Sequence, residues 1–306
     1  MSKSNCKLVF LALCLVLLII LSFGQGAIAK DECEDPKTLA FATISWTDIP
    51  TMAEFYDPQL KHISKVTGKK IDLYIAASYD SAVEALVHEW ADFGRLTAFS
   101  YTTAHDKSKG NVVVFGVGQY KKGIFAEAGV GYHSILITKK DSELKSIKDL
   151  KGKVLALVDP TSTSGSLILE VLFTKEELGG TSLKEYFGKV FYSGRLDLSV
   201  LAVKEGRADA AFVASHGLDY CIQRKKLIKA EDINEIWRSA SIPRDAYVYR
   251  KKLCPELKGK IEEAWFTMHE YEPAKPVLKG RKHVPVKDSI YDVIRKLAEA
   301  KAKKKK

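Results

Sequence analysis

A chain of 306 residues, 46% hydrophobic and 28% charged, has an ordinary globular composition and is long enough for two domains of the usual size. The formal net charge of +10 is interspersed apart from the closing "KAKKKK", which reads as a frayed, solvated end, so nucleic acid is excluded as the expected partner. The five cysteines include no CxxC spacing, which excludes the common thiolate metal and dithiol redox sites.

Residues 1–29 read as a signal peptide. Lys3 and Lys7 precede the apolar run Leu8–Leu21, and Ala27-Ile28-Ala29 places small residues before Lys30. The run is short for a membrane span, which needs roughly 20 apolar residues. Large Leu13, before Cys14, argues against a lipoprotein signal. The expected product is an exported, periplasmic protein cleaved near Ala29. Two basic and no acidic residues leave with that segment, so the mature charge is +8. Cys33, Cys221 and Cys254 remain, and in an oxidising compartment Cys221–Cys254 is the expected disulfide.

From Lys37 strands alternate with helices. "TLAFATIS" is a strand, "TMAEFYDPQLKHISKVTG" a helix stopping at Gly68, "KIDLYIAA" a strand and "YDSAVEALVHEW" an amphipathic helix. "ADFGRL", "NVVVFGVGQY" and "YHSILITKK" follow as strands, and "SIKDLKGK" as a short helix. The scheme then restarts with "VLALVDP" (strand), "SGSLILEVLFTKEELGG" (helix), "KVFYSG" (strand), "DLSVLAVKEGR" (helix) and "ADAAFVAS" (strand). "DAYVYR" is a later strand, and "CPELKGKIEEAWFTMHE" and "DSIYDVIRKLAEA" are closing helices. Trp237 and Trp265 fall on helix-like segments and read as core.

Single helices between strands imply βαβ units, hence an α/β fold with mixed, mostly parallel sheets. Two successive runs imply two lobes with a ligand cleft at the carboxyl ends of the strands. Ser45–Trp46, Ser78–Tyr79, Arg95–Thr97, Asp159–Ser164, Gly194–Asp197 and Ser215–His216 occupy such ends.

One of these is dense in hydroxyls. "DPTSTSGS" carries Thr161, Ser162, Thr163, Ser164 and Ser166 around Gly165, between a strand and a helix. The first turn of a helix has free N–H groups and a partial positive charge, and both favour anions. One hydroxyl is explained by N-capping; several in succession point to an oxyanion. The Gly-Lys-Ser/Thr ending of a nucleotide phosphate loop is absent. Neutral donors suit reversible capture better than phosphoryl transfer.

At this point the chain resembles the periplasmic solute-binding proteins of phosphate, phosphite and phosphonate ABC transporters. "DPTSTSG", "GYHSILIT" before "SIKDLKGK", "SVLAVKEGRADAAF", "SIPRDAYVYR" and "VPVKDSIYDVIRKL" carry the resemblance in order across the mature chain. It implies a two-lobed periplasmic binding fold with a hinge, lobe one at 30–134 plus 243–306 and lobe two at 135–242. It implies a small-molecule oxyanion ligand, a membrane permease as partner, and neither cofactor nor catalysis. The family's ligand residues match Ser162 and Thr163 with Thr161 and Ser164 beside them, Tyr79, Tyr132 and Asp245. The chain departs from the family pattern where a ligand-binding histidine becomes Leu196, followed by Asp197. His216 stands at the place of a glutamate that meets the ligand ammonium in aminoethylphosphonate binders, and Arg95 and Thr97 replace a Gly-Pro loop. Arg95 and His216 join the candidate ligand set, and Asp197 is weighed as ligand contact or helix cap. Arg195 or His216 is the expected substitute for the missing donor. These departures argue against aminoethylphosphonate.

Three rival readings follow from the same residues. One is a ligand-sensing partner of a signalling receptor, and another is a binder of a different anion such as a sulfonate or carboxylate. The third is a hydrolase using Ser164 as nucleophile, which finds no base in its own segment.

Overall fold

Side chains alternate between two buried faces along the central strands, and that alternation builds both halves of the molecule. The computed structural model describes residues 33–304, and the unit Asp35–Lys306 carries the features below. The expected signal peptide lies outside the described residues. No helix among them is long and apolar enough to cross a membrane.

The first half runs β1 (Thr38–Ile44), α1 (Ile49–Thr67), β2 (Lys70–Ala76), α2 (Tyr79–Val87), β3 (Phe93–Leu96), α3 (Ala98–Lys107) and β4 (Val112–Gln119). β5 (Gly131–Tyr132) and β6 (Ser134–Lys139) lead to β7 (Val154–Leu157), a wide helix α4 (163–176), β8 (Lys189–Tyr192) and α5 (Leu196–Lys204). Then come β9 (Ala210–Ala214), α6 (Ser215–Gln223) and β10 (Ile233–Arg238). β11 (Ile242–Pro243) and β12 (Ala246–Arg250) return the chain, followed by α7 (Pro255–Phe266), β13 (Lys282–Pro285) and α8 (Asp292–Lys304).

Six strands form one sheet in the order β13-β4-β12-β3-β1-β2, and five form another, β10-β6-β9-β7-β8. Parallel pairing is confined to β2-β1-β3 and β9-β7-β8. β12, β13, β6 and β10 pair antiparallel, because they belong to the segments that leave and re-enter each sheet. The outgoing β5 and returning β11 pair side by side between the two sheets, Tyr132 opposite Ile242.

In β1, Leu39 and Phe41 face a core with α1 and α7, where Phe41 packs on Tyr56, Phe93 and Trp265. Ala42 and Ile44 face the opposite core with α2 and α3. In the second sheet Leu155, Leu157 and Phe212 face α4, while Ala156, Val158, Ala211 and Val213 join the core that continues from the first sheet. One apolar cluster therefore spans both halves.

Three expectations are corrected. "INEIWR" forms strand β10, so Trp237 is a strand residue; it still serves the core, packed on Phe173 and Phe212. Helix α4 starts at Thr163 rather than near Gly165, and its turns are π-type, with Leu167 N–H donating to Ser162 O at 3.1 Å, five residues back. Cys33 and Cys254 are both disulfide-bonded, whereas Cys221 is a free thiol, buried in the core, where burial pushes its pKa up to about 12. The Cys221–Cys254 pair is not formed.

Gly94 on β3 shows how tightly the site's support is packed. A Cβ there would lie 2.4 Å from the Ala42 carbonyl oxygen on neighbouring β1. Gly94→Ala is expected to destabilise the protein by about 1–3 kcal/mol through overpacking, measured as a lower urea midpoint. An unchanged midpoint would show that β1 and β3 can separate without cost.

Candidate functional site

The strand ends named from the sequence converge. A cavity of about 60 Å³ lies beyond the carboxyl ends of β1, β3, β7 and β9, where open α/β sheets place their ligands. Five helices begin at its wall: Tyr79 opens α2, Thr97 caps α3, Ser162 caps α4, Leu196 opens α5, and His216 is the second residue of α6. Each helix start contributes partial positive charge and unpaired N–H groups, so their convergence favours an anion.

The hydroxyl turn divides its labour. Ser162 caps α4, its Oγ accepting from Gly165 N–H at 3.1 Å, and it lines the cavity with Ser164. Thr163 is wholly buried and does not line it; its Oγ1 accepts from the Phe99 N–H at the start of α3, at 2.8 Å. Thr161 donates from Oγ1 to Asp159 at 2.6 Å, and its carbonyl accepts from the Ser100 hydroxyl at 3.3 Å. Two of the four expected hydroxyls thus face the cavity, and the other two fasten the turn to its own strand end and to α3.

Tyr79, Tyr132, Arg95, Asp245 and His216 also line the cavity. Arg95 donates from a terminal nitrogen to Asp245 at 2.6 Å and from the other to the Tyr56 hydroxyl at 3.3 Å, so its charge is already matched. Asp197 does not line the cavity. It accepts from Thr47 Oγ1 at 3.0 Å and pairs with Arg195, and the N-cap of α5 is Arg195 rather than Asp197. Arg195 is thereby committed to Asp197, and of the two expected substitute donors only His216 reaches the cavity.

Sequence reasoning missed Tyr120, Tyr220 and Arg281, which complete the wall. Tyr120 follows β4, Tyr220 lies on α6, and Arg281 precedes β13, with no local motif to mark them. Two guanidiniums sandwich the Tyr120 ring, Arg244 at 3.8 Å and Arg281 at 3.9 Å from its centre. Among the described residues Trp46 Nε1, His216 Nδ1, Arg244 Nη1 and Arg281 Nε are buried without a hydrogen-bond partner, a concentration of unused polar atoms around one site. The apolar part of the wall is Ile44, Val158, Leu196 and Ala214. No group of three or more His, Cys, Asp or Glu among the described residues is placed to hold a metal ion.

Burial, reinforced by the charges of Asp245 and Asp159, pushes the Tyr79 phenol well above its ordinary pKa. Burial and Asp245 do the same to Tyr132, opposed by the hydroxyls of Ser164 and Thr163. Both phenols are therefore neutral donors. Burial, followed by the charges of Arg244, Arg95 and Arg281, pushes His216 well below the usual imidazole range, so it too is neutral. Buried His283 is depressed likewise, by burial and then by Arg281 and Arg95. Unfolding restores a pKa near 6.5. The unfolded chain then binds more protons than the native one, and stability falls as pH drops through that value. Between about pH 7 and 5 the ligand-free protein should lose thermal midpoint, with a shallower loss in His216→Gln. An identical slope in the variant would remove His216 from this linkage.

The sequence model of the family described as ABC transporter, phosphonate, periplasmic substrate-binding protein matches residues 41–289. The phosphonates-binding periplasmic protein of Escherichia coli is 26% identical over 261 residues, 84% of this chain and 73% of that protein. The phosphate-import protein PhnD of Mycolicibacterium smegmatis is 26% identical over 267 residues, 85% of this chain and 81% of that protein. Among solved structures, a binding protein component of a Pseudomonas aeruginosa ABC phosphonate transporter superposes with a TM-score of 0.75 at 24% identity, covering 88% of this chain and 87% of that one. PhnD1 of Prochlorococcus marinus, in complex with methylphosphonate, gives 0.74 at 17% identity over 87% and 98%. The two structures share the two-lobed fold, and the match over most of the sequence places this chain in the family of periplasmic substrate-binding proteins of phosphonate ABC transporters.

Proposed function

We propose that the protein captures a small phosphorus oxyanion (phosphate, phosphite or a small phosphonate) in this cavity and presents it to a membrane permease. It does so without turnover and without a cofactor. The observation that carries the reading is the convergence of five helix starts and the Arg281 guanidinium on a cavity whose lining carboxylate, Asp245, is already bound to Arg95. Such a site has donors and positive potential to spare for an anion. At about 60 Å³ it is far smaller than the roughly 300–1,000 Å³ of sites for drug-sized ligands. The wall of Ile44, Val158, Leu196 and Ala214 suits a P–H or P–CH₃ face.

In this reading Ser162, Ser164, Tyr79, Tyr132, His216 and Arg281 meet the ligand, and Asp245 accepts a ligand proton while orienting Arg95. Thr161, Thr163 and Asp197 position the walls. Lobe one comprises 30–134 plus 243–306 and lobe two 135–242, with the β5/β11 ladder at the hinge. Ligand drives closure through contacts it makes only when the lobes are together. An ammonium tail is disfavoured because it would meet the Arg95 and Arg281 charges, and Asp245, the one carboxylate among the described residues of the wall, is already held by Arg95. The relatives named for phosphate import and bound to methylphosphonate support a small head group.

A thermal-shift and calorimetry panel tests the ligand class. Phosphate, phosphite or methylphosphonate should raise the midpoint, with aminoethylphosphonate and alkyl sulfonates far less effective and every ligand recovered intact. Absence of heat with every phosphorus oxyanion overturns the reading, and product formation replaces it with the hydrolase. Arg281→Ala should weaken binding roughly 10- to 100-fold, the worth of a charge-assisted hydrogen bond of about 1.5–3 kcal/mol, with the ligand-free melting midpoint nearly unchanged. Wild-type affinity in this variant would take Arg281 out of the site.

A further inference from the structure

A second cavity, of about 160 Å³, adjoins the first. The two share Tyr120, His216, Tyr220 and Arg281 as common wall, so one guanidinium borders both spaces. The charge around the second cavity is lopsided: Lys121, Lys122, Arg224, Lys279 and Arg281 face the carboxylate of Asp219. That carboxylate is engaged elsewhere, accepting from the backbone N–H groups of Phe125 at 2.8 Å and Ala126 at 3.0 Å. Arg224 donates to the carbonyls of Pro276 and Val277, which leaves its positive charge uncompensated. Among the described residues none of Lys121, Lys122 and Lys279 forms an ion pair.

Local structure holds two of these cations, Lys121 and Arg281, close together. Gly280 has a left-handed φ of 77°, and a Cβ there would lie 2.6 Å from Cε and 2.8 Å from Nζ of Lys121. The missing side chain lets the Lys121 ammonium rest on the backbone next to Arg281. Arg281 in turn lies across Tyr120 from Arg244. Like charges held this close repel by an amount that grows as water is excluded, and a bound anion relieves that repulsion.

We propose that the second cavity is a subsite for a second anionic group, a carboxylate or phosphate on the same small molecule whose phosphorus oxyanion fills the first, with Arg281 shared between the two. The inference rests on the oxyanion reading above and narrows it to two-headed ligands such as phosphonocarboxylates. The apolar wall at Leu196 then faces the linking carbon, and the exclusion of an ammonium tail follows from the same charges.

Calorimetry on the full mature chain at low and moderate salt, with phosphonoacetate as probe and methylphosphonate as single-headed control, tests the proposal. Phosphonoacetate should bind with one-to-one stoichiometry at least tenfold more tightly than methylphosphonate. The double variant Lys121→Ala/Lys279→Ala, which removes exposed side chains without ion-pair partners, should cut that ratio to twofold or less. Equal affinity for the two ligands in the wild-type chain overturns the proposal, as does a ratio that survives the double variant. Two phosphonoacetate molecules per chain also overturn it, since they would make the second cavity an independent site. Failure of both probes together with phosphate and phosphite sinks the oxyanion reading itself, an outcome distinct from the others.

Discussion

The ion pair between Arg95 and Asp245 is the constraint around which the site is arranged. Both side chains are nearly excluded from solvent, at 7% and 11% exposure, and 2.6 Å apart. A buried pair adds little net stability, but removing one partner leaves a bare charge and typically costs about 3–5 kcal/mol. Arg95 belongs to β3 and Asp245 immediately precedes β12, its antiparallel neighbour, so the pair locks the end of the returning segment to the strand where α3 begins. It also decides the charge of the cavity. With Arg95 answered by Asp245, the positive charge left on the wall is that of Arg281, so the cavity is most positive on that side.

The second constraint is the set of contacts between the segments built on the two sheets. Thr47, after β1, donates to Asp197 on α5; Asp48 pairs with Lys225, beyond α6; and Thr163 and Thr161 reach the start of α3. Hydrogen bonds to Lys225 and Thr51 hold Asp48 well below the usual carboxylate range, so its carboxylate stays ionised over the physiological pH range. These contacts ring the cavity rather than line it. They add favourable free energy to the arrangement in which the walls meet, and a ligand need supply only the remainder.

Much of this arrangement is legible in the sequence because it depends on local signals. Short, near-continuously buried apolar runs mark β1, β7 and β9, and capping chemistry marks Asp48, Ser78, Thr97 and Ser162, so residue order alone locates the strand ends and helix starts that form the cavity. Tyr79, Arg95, His216, Ser162 and Ser164 arrive at one cavity for that reason, whereas Tyr132 and Asp245, which also line it, are suggested only by the family resemblance. Arg281 and Tyr120 are invisible at that level because their position is decided by a long-range stack with Arg244, which no spacing encodes. Strand β13 is hidden too: four residues containing Pro285 pair with β4 only because the sheet presents an edge there. Thr163 and Asp197 have the right chemistry for a ligand, but partners distant in sequence claim them, and the Thr161 hydroxyl is taken by Asp159 two residues away.

Leu196 shows how one side chain shapes the wall around it. Its side chain occupies the space over Gly217, where a Cβ would fall 2.3 Å from Leu196 Cδ1, so the two positions are coupled by volume. A polar ring at 196 would need room that the leucine now fills, and it would add a donor on a wall that is apolar. By closing that wall, the leucine leaves His216, next to Gly217, and Tyr220 as the side chains of α6 that present neutral donors to the cavity. The polar groups of the wall are thus concentrated at the hydroxyl turn on one side and at His216, Tyr120 and Arg281 on the other. A ligand that satisfies both sides while resting an apolar atom on Leu196 is better matched than one that is polar all round, because each unmatched donor or buried apolar face would cost it affinity.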